Sequence, residues 1–386
     1  MSSPSPSSNS GLRRWVAGAC CYLASLNCNP RHVVVADWRT LDSDSGSAAN
    51  ASPRDAGARQ SPYLIGADIS WVQQEEASGV TYFDQGDELD VLEILKRHGF
   101  NAIRLRVFND PSSPCRISAT GDQTCGYQIE ADRSETFCDL DHTLTMARRA
   151  KALGLQLMLD FHYSDTWADP DDQNKPLAWE KLAFADLVTA LGTFTRTSLQ
   201  RFVDADVAPD IVQLGNGITA GMLYPDGVST DENWPRLAEL LSAASSAVRS
   251  VIPASRVLLH IDKPDSFATA SWWVQSALDN GVDFDILGQT CFPESQGPRT
   301  GWKTTFESLA RAYPRLSYVI VEYSEERRAV NDIMFDLPAE RGLGTFVWEP
   351  TEWRETLFDT DDKRKSTNAR IQEFDRMLAD YGLPAP

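Results

Sequence analysis

The residues of this chain that could do chemistry sit at the ends of short apolar runs. Glu322 closes the run Tyr318-Val319-Ile320-Val321, where a carboxylate is costly to bury without partners, so we read it as functional. Asp68 ends another run, and Arg104 and Arg106 lie within a third. The eleven residues Asp160 to Pro170 (DFHYSDTWADP) follow a fourth. Further runs end in Asn216-Gly217, His260-Ile261-Asp262, Thr290-Cys291-Phe292-Pro293-Glu294 and Trp348-Glu349-Pro350. Carboxylates, amides, arginines and indole rings in this mixture suit hydroxyl recognition, stacking on sugar rings and acid–base work by carboxylates. Singly, each has a plainer reading. A lone arginine at a strand end is most often an ion-pair partner, His162 a hydrogen-bonded core residue, and Trp348 a packing ring. The run from Asp160 to Pro170 resists such a reading, because so many polar and aromatic groups after one strand do not pack a core. The chain has no Gly-rich phosphate loop and no G-x-S-x-G elbow.

The elements that must position these residues follow a regular alternation from about residue 62. Strands are expected at Tyr63–Ile69, Ala102–Phe108, Leu155–Phe161, Ile211–Asn216, Arg256–Ile261, Phe284–Thr290, Tyr318–Glu322 and Gly344–Trp348. Helical stretches lie between them, among them Glu88–His98, Leu140–Leu153 and Trp234–Val251. Nearly continuous apolar runs fit parallel strands covered on both faces. Eight such units over about 320 residues predict a single (β/α)8 TIM barrel, with its chemistry at the C-terminal ends of the strands. There is no internal repeat of fixed period and no sign of a second domain.

Composition narrows the partners. A net charge of −19 over 386 residues argues against nucleic acid, which calls for a basic surface, and against anionic membranes or polyanions. Eleven tryptophans are many for this size; some must be core, but aromatic rings are also platforms for sugar rings, and the charge fits a neutral partner or a simple solubility role. Arg13 and Arg14 precede an apolar run from Trp15 to Leu26, too short to span a bilayer. Residues 1–30 are therefore read as a targeting segment, 31–61 as a flexible linker and 62–386 as the barrel. The protein is expected to be exported (periplasmic, extracellular or surface-associated), without an integral membrane span, and monomeric. Ala17-Gly18-Ala19-Cys20 resembles a lipoprotein cleavage box but falls early in the apolar run. Cys115, Cys125 and Cys138 lie close enough for a disulfide of open pairing. No Cys/His ligand spacing points to zinc, and no metal or cofactor is expected.

Taken together, these motifs resemble glycoside hydrolase family 53, the arabinogalactan endo-β-1,4-galactanases acting on galactan side chains of pectin. The resemblance rests on His162 through Pro170 with Gln173, Lys175-Pro176 and Trp179. It extends to Gly66-Ala67-Asp68-Ile69-Ser70, Asn101 through Pro111, Val212 through Asn216 with Gly221-Met222-Leu223, Val321-Glu322 and Trp348-Glu349-Pro350. It covers about residues 62 to 355. It implies retaining hydrolysis by two glutamates, with carboxyl groups roughly 5–5.5 Å apart. Glu322 matches the nucleophile, and Gly217 stands where the family has its acid/base glutamate. Arg104, His162, Asn216 and Trp348 would surround the cleaved sugar, with Asn216 near its 2-hydroxyl. Asp68, Asp165, Trp167 and Asp169 are further candidates for sugar binding.

Other departures cluster nearby. Cys291-Phe292 replaces a tyrosine pair, Tyr224 replaces a tryptophan, and the segment between Glu322 and Trp348 is short, so no calcium site on that loop carries over. General acid–base help is worth about 10²–10⁴-fold, so turnover of galactan should suffer. Three readings follow. One is a galactanase-like hydrolase with a substitute acid from Glu294, Glu325 or Glu326. Another is a non-catalytic galactan-binding pseudoenzyme. The third is a retaining enzyme with altered acid/base or transfer chemistry.

Overall fold

The computed structural model describes residues 62–112 and 137–384, together with the backbone of 116–117 and 123–124. All of these belong to one compact unit, Ser52–Pro386. The expected leader and linker, and Cys20, Cys21, Cys28, Cys115 and Cys125, lie outside the described residues.

Eight parallel strands close a barrel in chain order: β1 (Leu64–Asp68), β2 (Ala102–Val107), β3 (Gln156–Phe161), β4 (Ile211–Leu214), β5 (Arg256–Ile261), β6 (Ile286–Thr290), β7 (Ser317–Tyr323) and β8 (Gly342–Trp348). A helix follows each strand: α1 (Val91–Arg97), α2 (Leu140–Ala152), α3 (Phe184–Asp204), α4 (Trp234–Val251), α5 (Phe267–Asp279), α6 (Arg299–Ala312), α7 (Arg327–Phe335) and α8 (Gln372–Tyr381). The (β/α)8 expectation therefore holds. No helix among the described residues is long and apolar enough to cross a membrane.

Inward side chains such as Leu64, Met158, Leu258, Val319, Val321 and Phe346 fill the barrel centre. The alternate residues pack under the helices, as a strand period of two requires. The filling is tight. A Cβ placed on Gly66 would lie 2.3 Å from the Phe346 ring, so glycine there makes room for the aromatic plug.

One irregularity sets the site. Strict alternation along β7 turns Val319 and Val321 inward and would turn Glu322 out toward the helices. The β6–β7 register slips, however: Gln289 pairs with Ile320, and Thr290 pairs with Glu322. The extra residue is Val321, so Val321 and Glu322 both face the barrel interior. A bulge re-aims a side chain in this way, often beside active sites.

The start of the first barrel helix differs from expectation. The helix expected at Glu88 begins at Val91, because Asp87–Leu89 is a strand pairing with Thr81–Asp84 and the Asp90 side chain caps the helix by accepting from Leu92 N at 2.7 Å. Those strands join Phe358–Asp361 and Arg364–Thr367 in a four-stranded sheet that clamps the β1–α1 connection to the β8–α8 connection. This sheet is absent from the sequence reading. Cys138 and Cys291 are free and buried, which removes Cys138 from any disulfide.

The packing around Gly66 yields a direct test. Gly66→Ala should cost about 1–3 kcal/mol by overpacking against Phe346, seen as a lowered urea midpoint at unchanged slope.

Candidate active site

At the C-terminal mouth of the barrel a single guanidinium gathers five strand-end acceptors. Arg104 of β2 is fully buried. Its Nη1 lies 2.8 Å from Asp68 Oδ2 (β1) and 2.9 Å from Glu322 Oε1 (β7). Its Nη2 lies 2.8 Å from Asp160 Oδ2 (β3) and donates to Asn216 Oδ1 at 2.9 Å. Its Nε donates to Gln213 Oε1 (β4) at 3.1 Å. Asp68 and Asp160 are wholly buried, whereas the Glu322 side chain keeps 13% exposure. Of the three acids on Arg104, Glu322 is thus the one that meets solvent.

Electrostatics follow from this geometry. Burial pushes the Glu322 carboxyl up, but Arg104, aided by His260, outweighs it and holds the group below the ordinary carboxylate range. Asp160 behaves likewise: burial raises it, and Arg104 with His162 brings it below its usual value. Glu322 Oε2 also accepts from Thr290 Oγ1 at 3.0 Å. His260 lies behind Thr290, with Nε2 2.8 Å from Thr290 Oγ1. Burial pulls its imidazole down to about 4, so it is neutral at neutral pH.

An aromatic rim surrounds the mouth. Trp348 packs edge-on against Trp71 at 5.2 Å and Trp353 at 4.9 Å, and Phe292 lies 6.4 Å away. The rim is anchored from below by Arg106, whose guanidinium sits 4.3 Å from the Trp167 ring centroid, a cation–π distance. Arg106 is itself paired with buried Glu349. Trp353, 37% exposed, offers the most open ring.

Gly217 sits in a constrained stretch of backbone. It adopts φ 59°, ψ 38°, the left-handed region that disfavours residues with a Cβ. A Cβ there would lie 2.8 Å from Pro170 Cδ and 3.1 Å from Pro170 N. The Pro170 ring thus occupies the space where any side chain at residue 217 would begin. The Gly217 N–H donates to His260 Nδ1 at 3.1 Å.

The remaining candidates divide. His162 is buried behind Asp160, with Nε2 3.1 Å from Asp160 Oδ2 and Nδ1 accepting from Ala168 N at 2.9 Å. Asp165 holds loops, accepting from Asp110 N at 3.0 Å and Leu177 N at 2.7 Å. Asp169 caps a turn through Asp171 N and Asp172 N, both at 2.9 Å. Asn216 Nδ2 donates to Ala168 O at 2.8 Å, tying the Asp160–Pro170 loop to β4. Glu294 and Glu325 share Arg354, at 3.0 and 3.4 Å. That guanidinium stands 5.6 Å from both the Phe292 and Trp353 rings, so both acids lie along the rim. Glu326 instead pairs with Arg299 of α6 at 3.6 Å, between helices. Sequence reasoning gave no individual role to Gln213, Thr290, His260, Trp71 or Pro170, although it placed Thr290, His260 and Pro170 in the strand-end runs. For Thr290 and His260 the available signal was their position at strand ends beside Glu322 and Asn216. Among the described residues no group of three or more His, Cys, Asp or Glu is arranged to hold a metal ion.

Arg104→Met removes the charge on which Asp68, Asp160 and Glu322 depend. Loss of one partner of a buried ion cluster should cost about 3–5 kcal/mol. The pH dependence should change as well. Carboxyls held low contribute stability above their unfolded values, near 4, and lose it as pH falls through the folded values. In the variant burial is no longer opposed by Arg104, so the folded values rise toward or above the unfolded ones and this acid loss should shrink or reverse, as read from urea midpoints between pH 3 and 7.

Similarity to known proteins agrees with this geometry. The family model "Glycosyl hydrolase family 53" matches residues 64–329. An uncharacterized protein of Niallia circulans is 36% identical over 262 residues, 66% of this chain and 66% of that protein. The arabinogalactan endo-beta-1,4-galactanase of Humicola insolens is 35% identical over 320 residues, 74% of this chain and 88% of that enzyme. Among solved structures, the Ignisphaera aggregans GH53 catalytic domain superposes with a TM-score of 0.70 at 28% identity, covering 81% of this chain and 95% of that domain. The matched span contains β1 through β7 with Arg104, Asn216 and Glu322, and the chain belongs to glycosyl hydrolase family 53.

Proposed function

We propose that this protein acts on β-1,4-galactan through Glu322 as nucleophile, with slow turnover because residue 217 supplies no proton. The observation that carries this reading is the state of Glu322: an ionised carboxylate held by Arg104 and Thr290, open to the groove and flanked by Trp348 and Trp353. Aromatic rings crowd the rim, which suits stacking on an uncharged sugar chain. Galactanase names among the relatives supply the substrate class.

In the step we assign, a Glu322 oxygen attacks the anomeric carbon of the bound galactosyl unit and the bond to the leaving oxygen breaks. Water then cleaves the resulting ester and returns the carboxylate, with net retention. Departure of a sugar oxygen requires a proton, and a well-placed general acid is worth about 10²–10⁴-fold. Glu294 and Glu325, held on Arg354 at the rim, are the candidates to deliver it. Glu326, turned toward Arg299, is set aside. A neutral polysaccharide outside the cell matches the export expected from the N-terminal residues.

A second reading, a galactan-binding protein without turnover, is favoured by one observation. Pro170 fills the space at residue 217, so the acid position is closed rather than merely vacated. The two readings separate on one assay of potato galactan hydrolysis beside calorimetric binding of galacto-oligosaccharides. Slow product formation that disappears in Glu322→Gln supports the hydrolase, binding with no product supports the lectin-like reading, and absence of both sinks both.

The closed position also predicts how repair will behave. Gly217→Glu alone should gain little, because its Cβ meets Pro170 in a left-handed backbone. Gly217→Glu with Pro170→Ala should recover a larger share of the roughly 10²–10⁴-fold acid contribution, measured as kcat on galactan. A full gain from the single substitution would show that the loop yields freely.

A further inference from the structure

Thr290, His260 and Gly217 form a chain of hydrogen bonds that ends on Glu322. Thr290 Oγ1 stands 3.0 Å from Glu322 Oε2 and 2.8 Å from His260 Nε2. On the other side of the ring, His260 Nδ1 is 3.1 Å from the Gly217 N–H, 3.3 Å from Gln213 Nε2 and 2.8 Å from Asn216 Oδ1. A hydroxyl has one proton to give, which couples the ends of the chain.

Two arrangements satisfy these contacts. In the first, Thr290 donates to Glu322, so His260 carries its proton on Nε2 and donates to Thr290. The bare Nδ1 then accepts from Gly217, and it faces the Asn216 carbonyl oxygen as one lone pair against another. In the second, Nδ1–H donates to Asn216 Oδ1, and Nε2 takes the Thr290 proton. Glu322 then loses its hydroxyl donor and the buried Gly217 N–H loses its acceptor. A negative charge on Glu322 selects the first arrangement, because a hydrogen bond to an ionised group is worth more than one between neutral groups. Loss of that charge removes the preference and leaves the lone-pair conflict at Asn216, which selects the second.

We propose that Thr290 and His260 are positioning residues whose relay makes the His260 tautomer follow the charge on Glu322, and so links the nucleophile to Asn216 and Gly217 three strands away. This rests on Glu322 being the nucleophile in one respect only: formation of a sugar ester would be the event that discharges it. In the ester state Asn216 Oδ1 would gain a donor from His260 while keeping Arg104. Its orientation would then be fixed most firmly when a sugar occupies the site.

The test uses the full chain and two readouts. Long-range proton–nitrogen NMR of the imidazoles, with only five histidines to assign, should show His260 protonated on Nε2 in the unsubstituted protein. Glu322→Gln should move the proton to Nδ1. Arg104 keeps the amide oxygen on its own side, so the amide NH₂ donates to Thr290 and the Thr290 proton turns to His260. Thr290→Val should perturb both nitrogens, and Thr290→Ser should restore the first pattern. Unchanged His260 shifts in Glu322→Gln and Thr290→Val would overturn the relay, whether or not the protein turns over.

The second readout is the rate at which 2,4-dinitrophenyl 2-deoxy-2-fluoro-β-galactoside labels Glu322, followed by intact mass. This leaving group departs without an acid. Labelling should slow about tenfold in Thr290→Val, in keeping with one hydrogen bond to a charged group, and return in Thr290→Ser. The acid limb of the rate should move to higher pH in Thr290→Val, because the ionised form loses a donor while Arg104, Asp160 and His260 still face it. An equal rate and limb in Thr290→Val would overturn the positioning role. No labelling of the unsubstituted protein would instead remove Glu322 as nucleophile, and the NMR readout would still decide the relay.

Discussion

The Arg104 guanidinium is the constraint on which the barrel mouth depends. Three carboxylates converge on it from β1, β3 and β7, together with the amides of Gln213 in β4 and Asn216 just beyond it. Buried acids in such proximity would repel one another and take up protons. One delocalised cation with a rigid fork of donors offsets their charge, holds Asp160 and Glu322 low and fixes all three directions together. The arrangement leaves Glu322 charged and partly exposed while its companions are sealed, which is the distribution a nucleophile requires. Arg106, one turn of the pleat further along β2, performs the parallel task for the rim, pairing with Glu349 beneath the Trp167 ring.

Residue 217 is set differently. Glycine in a left-handed conformation lets the backbone turn sharply after Asn216, and Pro170 from the β3 loop packs against it. The same loop is held by the Asn216 amide at Ala168. The surroundings of Glu322 and of residue 217 are therefore not independent. The loop that packs against residue 217 is bonded to the Asn216 amide, and His260 joins that amide to Thr290 and Glu322. Phe292, where the family resemblance has a tyrosine, offers only a ring edge toward Trp348, and Thr290 supplies the hydroxyl on Glu322 from the preceding position but one.

Much of this was legible in the chain alone, and the physical reason is repetition. Eight apolar runs alternating with amphipathic stretches have few packings available, and a parallel barrel places every strand end on one face. Asp68, Arg104, Asp160, Asn216, Glu322 and Trp348 could thus be assigned to a common site from their positions at run ends. Local signals were less decisive where two elements compete, as at Glu88, where a short strand replaces the first turn of the expected helix. Asp165 and Asp169 share the polar character of sugar-binding residues, but their carboxylates are consumed by backbone N–H groups of their own loops.

Composition and periodicity by themselves determined the barrel, the order of its strands and the set of residues at its mouth, because these follow from which side chains must leave water. Tertiary structure alone decided which of them touch. The slip between β6 and β7 turns Glu322 inward beside Val321 against the alternation of its own strand, and no local pattern encodes it, since it arises from pairing with a strand remote in sequence. The hydrogen-bond chain from Gly217 to Glu322 and the seating of Pro170 against residue 217 were decided the same way. They depend on directions of donors and on sub-ångström approach between loops, which three-dimensional closure of the barrel sets.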